Sequence, residues 1–268
     1  MRWRLVNFPL SLPIASAAVY AALIESDPAQ KCARVAALSL TADAAPSLDT
    51  DPQGRIPGRP QRPELIHPSK VPHRGLGTQQ GRAALVHAVA HIEFNAINLA
   101  LDACWRFRDQ PAQFYRDWLS VAQDEARHFL MLHQRLSEMG HAYGDFSAHN
   151  GLWEAAEKTR HDVLVRMALV PRVLEARGLD VTPGIIVRLE QAHDVETVRI
   201  LRIILEEEVR HVAIGTHWFR YLCQQRGLDP ASTFTQLLSD YNMRLRLPLN
   251  YTAREQAGFE AAELAGAI

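Results

Sequence analysis

At 268 residues, with 47% hydrophobic and 22% charged residues, the chain has the composition of an ordinary folded protein and enough length to bury a sizeable core. Its formal net charge of −1 gives no general attraction to nucleic acid or to an anionic membrane surface. The three cysteines, Cys32, Cys104 and Cys223, lie far apart with no CxxC spacing, which argues against a disulfide framework or a zinc ribbon and suits a reducing cytosol.

Arg2 and Arg4 precede an uncharged stretch, Leu5 to Ile24, that vaguely resembles a signal peptide. Asn7, Pro9, Ser11, Pro13 and Ser16 interrupt it and Glu25 follows, so a targeting role is the weaker reading. No other window reads as apolar enough to span a bilayer, and a cytoplasmic location is the expectation. A short helix is expected around Ile14–Ile24, and Asp27-Pro28 opens another through Ala37. From Thr41 to about Thr78 seven prolines mark extended chain, either a disordered linker or an arm wrapped over the domain, and Ile56, Leu65, Ile66 and Val71 favour the arm.

Helical periodicity follows. Residues 80–108 carry a stripe of Leu85, Val89, Ile92, Ala96, Leu99 and Ala103, and 112–139 one of Phe114, Trp118, Val121, Glu125, His128, Leu132 and Leu136, ending at Gly140. A third helix is expected from Leu152 to about Arg177, kinked at Pro171, then a break at Gly178–Gly184 and a continuation over Ile185–Gln191. Asp194 caps a fourth, to Gln225, closed by Gly227, and one more runs from Pro230 to Leu245. The fold class is all-α: an N-terminal helix and arm (1–78), an antiparallel four-helix bundle (79–227) and a helical extension packed on it (228–268).

Two pentapeptides nearly repeat each other: Asp124-Glu125-Ala126-Arg127-His128 and Glu207-Glu208-Val209-Arg210-His211. On a helix, Glu-x-x-His places one carboxylate and one imidazole on one face. A single Glu-x-x-His is usually a solvated surface, but two with matching flanks read as halves of one metal site. Such a site needs one further Glu from each remaining helix. Glu93 is the only acid in the middle of the first, and Glu175 lies in the third, with Glu190 or Glu196 as substitutes. Glu93 precedes Glu125 by 32 residues and Glu175 precedes Glu208 by 33, so in antiparallel hairpins the four meet at one height if the third helix runs on through 178–184.

Mixed carboxylate and imidazole ligation suits iron or manganese. Asp124 and Glu207, each four before a ligand His, can accept the other N–H of a ligand imidazole, with Arg127 and Arg210 balancing the acids. His87 and His91 point away from Glu93 and read as packing or supporting residues. Tyr115, Trp118 and Trp218 read as core aromatics.

The order Glu93, Glu125-x-x-His128, Glu175, Glu208-x-x-His211 resembles that of the ferritin-like superfamily of di-iron carboxylate proteins. More closely, His87–Asp102, Leu174–Asp180 and Glu208–Gly215 are similar to a bacterial family of unknown function with a ferritin-like domain. The resemblance covers about residues 60–260. It implies a ferritin-like bundle holding two iron ions, with manganese or a mixed Mn/Fe centre open. The expected function is activation of O2 to oxidise or hydroxylate an unidentified small organic molecule, with an unknown electron donor and a homodimer left open. Ferroxidase or iron-handling chemistry, a metal-bearing protein without turnover, and tRNA modification (from a looser similarity of Leu-Glu-Ala-Arg to a tRNA-modifying di-iron hydroxylase) are the alternatives; the near-zero net charge gives the last no support.

Overall fold

The computed structural model describes residues 16–39 and 56–265. The signal-like residues before 16 and the arm over 40–55 lie outside the described residues. Two short helices come first, α1 (Ser16–Leu23) and α2 (Pro28–Ala37), the second capped by Asp27, whose carboxylate accepts from Gln30 N. Four long elements follow: α3 (Gln79–Arg106) and α4 (Ala112–Glu138), then, after the short α5 (Gly151–Lys158), α6 (Val163–Leu169), a π-helical segment (Val170–Glu175) and α7 (Ala176–Gln191), and finally α8 (Val195–Gln225). The C-terminal region adds α9 (Pro230–Asp240), α10 (Tyr251–Gln256) and α11 (Ala261–Ala265). No strand occurs among the described residues.

Helix α3 packs along α4, α7 along α8, and α4 against α8. The expected α4 stripe is the buried one, from Phe114 through Trp118, Val121 and Leu132 to Leu136. Of the expected α3 stripe, Ala96, Leu99 and Ala103 are buried and Leu85 and Val89 pack half-buried on the core, and only Ile92 departs. Ile92 is 46% exposed, whereas Val86, Ala90, Phe94 and Ile97 are sealed. From Glu93 to Trp105 every residue of α3 is buried, because α1 and α5 cover the sides that α4 leaves free, and a helix enclosed all round shows no stripe. This helix is also long and apolar enough to cross a membrane, which amends the sequence reading, but most of its apolar window is buried inside the protein.

The third helix differs most from expectation. Its break lies at Thr159–Asp162, where Asp162 restarts the chain by accepting from Leu164 N at 2.8 Å. The stretch 178–184 is helical instead of broken. Pro183 has no N–H for the carbonyl of Leu179, and the Asn250 amide donates to that oxygen at 3.2 Å. Pro171 coincides with the π segment, a one-residue wide turn in place of a simple kink. The last expected helix stops at Asp240 rather than Leu245, and two further short helices follow.

Buried polar residues of α3 tether its neighbours. Lys31 donates to the carbonyls of Ala22 (3.1 Å) and Leu23 (2.9 Å) and to Asn98 Oδ1 (2.7 Å), closing α1 and α2 onto α3, and its burial pushes its pKa down to about 7. Asp102 pairs with Arg106 at 2.7 Å and with Arg166 of α6 at 2.6 Å. The described part of the arm, from residue 56 on, bonds to the domain. Gly58 N donates to Leu23 O, and residues 64–66 bond to Ala148. His91 bonds Tyr143 at 2.8 Å and His87 accepts from Gly144 N at 2.9 Å, so both act as packing residues. All three cysteines are buried and free.

Removing one member of a sealed ion pair strands its partner's charge. Asp102→Ala should therefore lower unfolding free energy by about 3–5 kcal/mol, read from urea denaturation. A loss below about 1 kcal/mol would mean that the pair is dispensable.

Candidate metal centre

The four arms deliver their acids to one level. Glu93 on α3, Glu125 and His128 on α4, and Glu208 on α8 each offer a ligand atom, and these atoms lie within 4.8 Å of one another. Ligands on opposite sides of an ion at roughly 2.1 Å stand about 4.2 Å apart, so small shifts would close the group onto an ion. Both imidazoles present Nδ1 inward. His128 Nδ1 lies 3.0 Å from Glu93 and 3.4 Å from Glu125. His211 Nδ1 lies 3.0 Å from Glu125 and 3.4 Å from Glu208. The rings stand 5.8 Å apart, centroid to centroid, across the α4–α8 seam.

Glu175 closes the π segment, and its charge is felt with those of Glu208, Glu125, His211 and Glu93. The proposed substitutes lie elsewhere: Glu190 pairs with Arg202 at 2.6 Å and Glu196 with Arg199 at 2.5 Å, both on the surface. Of the six expected ligands, Glu93, Glu125, His128, Glu208 and His211 come together, and Glu175, whose carboxyl burial raises, lies near enough for the charges of Glu208 and Glu125 to raise it further. Glu175 and His211 fall outside the tightest four-residue core.

Glu175 Oε2 has no hydrogen-bond partner, while Glu125 Oε2 and His211 Nδ1 have ion-pair contacts (3.4 Å to His128 and 3.0 Å to Glu125) but no well-formed hydrogen bond; all three atoms are buried. Buried acceptors and donors are nearly always satisfied, because an unmade bond costs about 1–3 kcal/mol. All three belong to oxygen and imidazole ligands of the type that iron or manganese accepts, so the residues fit a cation.

The outward nitrogens are held by acids, but crosswise. His128 Nε2 meets Glu207 at 2.6 Å and His211 Nε2 meets Asp124 at 3.2 Å. Each acid therefore serves a ligand imidazole, as expected, and the ring it serves belongs to the facing helix. An acid four residues before a His shares its helix face but points outward past it, and across the seam it meets the opposite ring. The guanidiniums behave as expected. Arg127 bridges Asp124 (2.7 Å) and Glu207 (2.8 Å), while Arg210 pairs with Asp124 and donates to Ser120 Oγ at 3.0 Å.

Sequence reasoning missed how the π segment comes so close to α8. A Cβ on Gly215 would sit 2.4 Å from the ring of Pro171. Glycine there lets the segment carrying Glu175 approach the segment carrying Glu208. The signal was available as a Gly in mid-helix, four residues after a ligand His.

Burial, with Glu125 adjacent, raises the Glu93 carboxyl to about 8. Burial, with Glu208 and Glu125 adjacent, does the same for Glu175. Burial opposes charging His128, yet Glu125 and Glu93 override it and hold the imidazolium up to about 11; His211 is likewise raised, by Glu125 and Glu208. The His211, Arg127 and Arg210 charges hold Asp124 down against its own burial.

These four raised groups bind more protons folded than unfolded. Their stabilisation is complete below the unfolded carboxyl value of 4.5 and is lost as pH rises through about 8 and then the histidine range. A metal ion needs the same groups deprotonated. Melts of chelator-treated protein should show Tm falling between pH 5 and 8, with Mn(II) protection growing over that window and protons released on Mn(II) addition at pH 7. A Tm independent of pH and of Mn(II) would refute this assignment of protons.

The sequence matches the family described as "Protein of unknown function (DUF455)" over residues 24–265, and the chain belongs to that family. It is similar to an uncharacterized protein of Haemophilus influenzae (strain ATCC 51907 / DSM 11121 / KW20 / Rd). The two are 49% identical over 221 residues, covering 80% of this chain and 77% of the relative. No solved structure matches.

Proposed function

We propose that this DUF455 protein is a di-metal carboxylate oxidoreductase built on a ferritin-like four-helix bundle, using O2 to oxidise or hydroxylate a small organic substrate. The observation that supports the reading is the cluster of ligand atoms from Glu93, Glu125, His128 and Glu208 within 4.8 Å of one another, with His211 Nδ1 3.0 Å from Glu125 and the buried Glu175 Oε2 left without a hydrogen-bond partner. Four carboxylates and two neutral imidazoles sum to a charge that two divalent ions would cancel, whereas one ion would leave buried negative charge unpaired. Glu93 and His128 would hold one ion and Glu175 and His211 the other, with Glu125 and Glu208 available to either.

Bound iron, or manganese, would supply one-electron steps and a site for reducing O2. The chain's own residues do the rest. Glu207 and Asp124 fix both imidazoles with Nδ1 inward. The sealed helices around the cluster limit water. Arg127 and Arg210 offset the two outer acids, so the site as a whole stays near neutrality once loaded.

The test is stopped-flow mixing of anaerobic, Fe(II)-loaded protein with O2, followed optically against a Glu125→Ala variant. The wild type should oxidise at least about 100-fold faster than the variant. Equal rates would remove the oxidase reading, and a large spherical assembly on a sizing column would shift it to iron storage.

A further inference from the structure

We propose that the C-terminal extension is a working part of the metal centre: Arg254 of α10 and Arg172 of the π segment are positioning residues that hold Glu175 in place. This rests on the di-metal reading above. A π turn has a looser backbone ladder than an α-helix, and its shape is fixed by what surrounds it. Glu175 lies at the end of such a turn, so its placement depends on neighbours outside its own helix.

Arg254 is buried and grips both oxygens of Asp180 on α7, at 2.9 and 2.7 Å. The same guanidinium reaches the carbonyls of Arg172 and Ala176 at 3.5 Å each, three residues before Glu175 and one after it. Asn250, just before α10, adds a bond from its N–H to Asp180 at 2.9 Å. Arg172, fully buried, is stacked among the rings of Phe219 (4.5 Å), Phe234 (4.1 Å) and Phe259 (4.5 Å) and donates to Glu263 of α11 at 2.5 Å. From the opposite side Gly215 admits Pro171. The turn is thus clamped between α8 and the extension.

Stability alone gives little reason for this chemistry. Apolar side chains of similar volume commonly do as well as a buried ion pair or better. Two sealed arginines converge on the one turn that carries a ligand, and a planar bidentate fork specifies a position as a point charge does not.

The full chain, loaded with Mn(II), provides the test, by counting bound ions and recording the EPR spectrum. The wild type should hold two ions per chain with a spin-coupled signal. Arg254→Lys keeps the charge but cannot hold both Asp180 oxygens; it should weaken the second ion at least about tenfold and leave the six-line signal of an isolated Mn(II). Gly215→Ala, which pushes the same turn from the other side, should give the same result, and it decides the matter if Arg254→Lys does not fold. Arg166→Lys disturbs a sealed pair with Asp102 away from the turn and should lower Tm while keeping the coupled signal. Coupled, two-ion spectra in both turn variants would overturn the proposal, as would loss of the second ion in Arg166→Lys. A wild type that takes up no ion pair would overturn the di-metal reading and this inference together.

Discussion

Like charges do not share a dry interior without a counter-charge, and this chain brings four carboxylates to one level between its longest helices. Everything nearby answers that constraint. Burial and neighbouring carboxylates raise the Glu93 and Glu175 carboxyls, both imidazoles lie against Glu125, and the two outer acids are tied down by guanidiniums. The helices are long enough to meet at mid-height and the loops short enough to keep them in register. An interior of this composition is a poor way to stabilise a fold and a reasonable way to hold cations.

Much of this was legible in the residues. The repeated pentapeptides, the solitary Glu93 and the near-equal spacings locate the cluster because a helix converts sequence distance into height at a fixed rate. Asp27, Asp194 and the glycine after α8 mark helix ends through local chemistry that does not depend on the rest of the chain. What escaped is tertiary. The α3 stripe understates how much of that helix is buried, because helices with no sequence neighbourhood cover its other sides. The stretch around Pro183 reads as a break until Asn250, 67 residues later in sequence, supplies the missing donor. The crossed acids are invisible for the same reason, since a partner on the facing helix leaves no mark in local spacing.

Helix α3 shows how polar residues can organise an apolar core. Asn98 receives Lys31 and anchors α1 and α2; Asp102 receives Arg166 and anchors α6; His91 donates to the His149 carbonyl of the loop before α5. Each is a directional contact that a packed leucine could not replace, because hydrophobic burial tolerates sliding and a hydrogen bond does not. Glu93, on the remaining face, is the one such residue left for chemistry. The arm and the N-terminal helices therefore do more than cover the surface: they occupy the sides from which water would otherwise reach α3.

The crossed grip of Asp124 on His211 and Glu207 on His128 has a bearing on how the site came to be shaped and how it can change. Neither hairpin is self-sufficient, since each imidazole is aimed by an acid that belongs to the other half. A substitution in one pentapeptide is felt first by the ring of its counterpart, so the two can drift only in concert. That mutual dependence gives a physical reason for their near-identity: each is the mould in which the other is set.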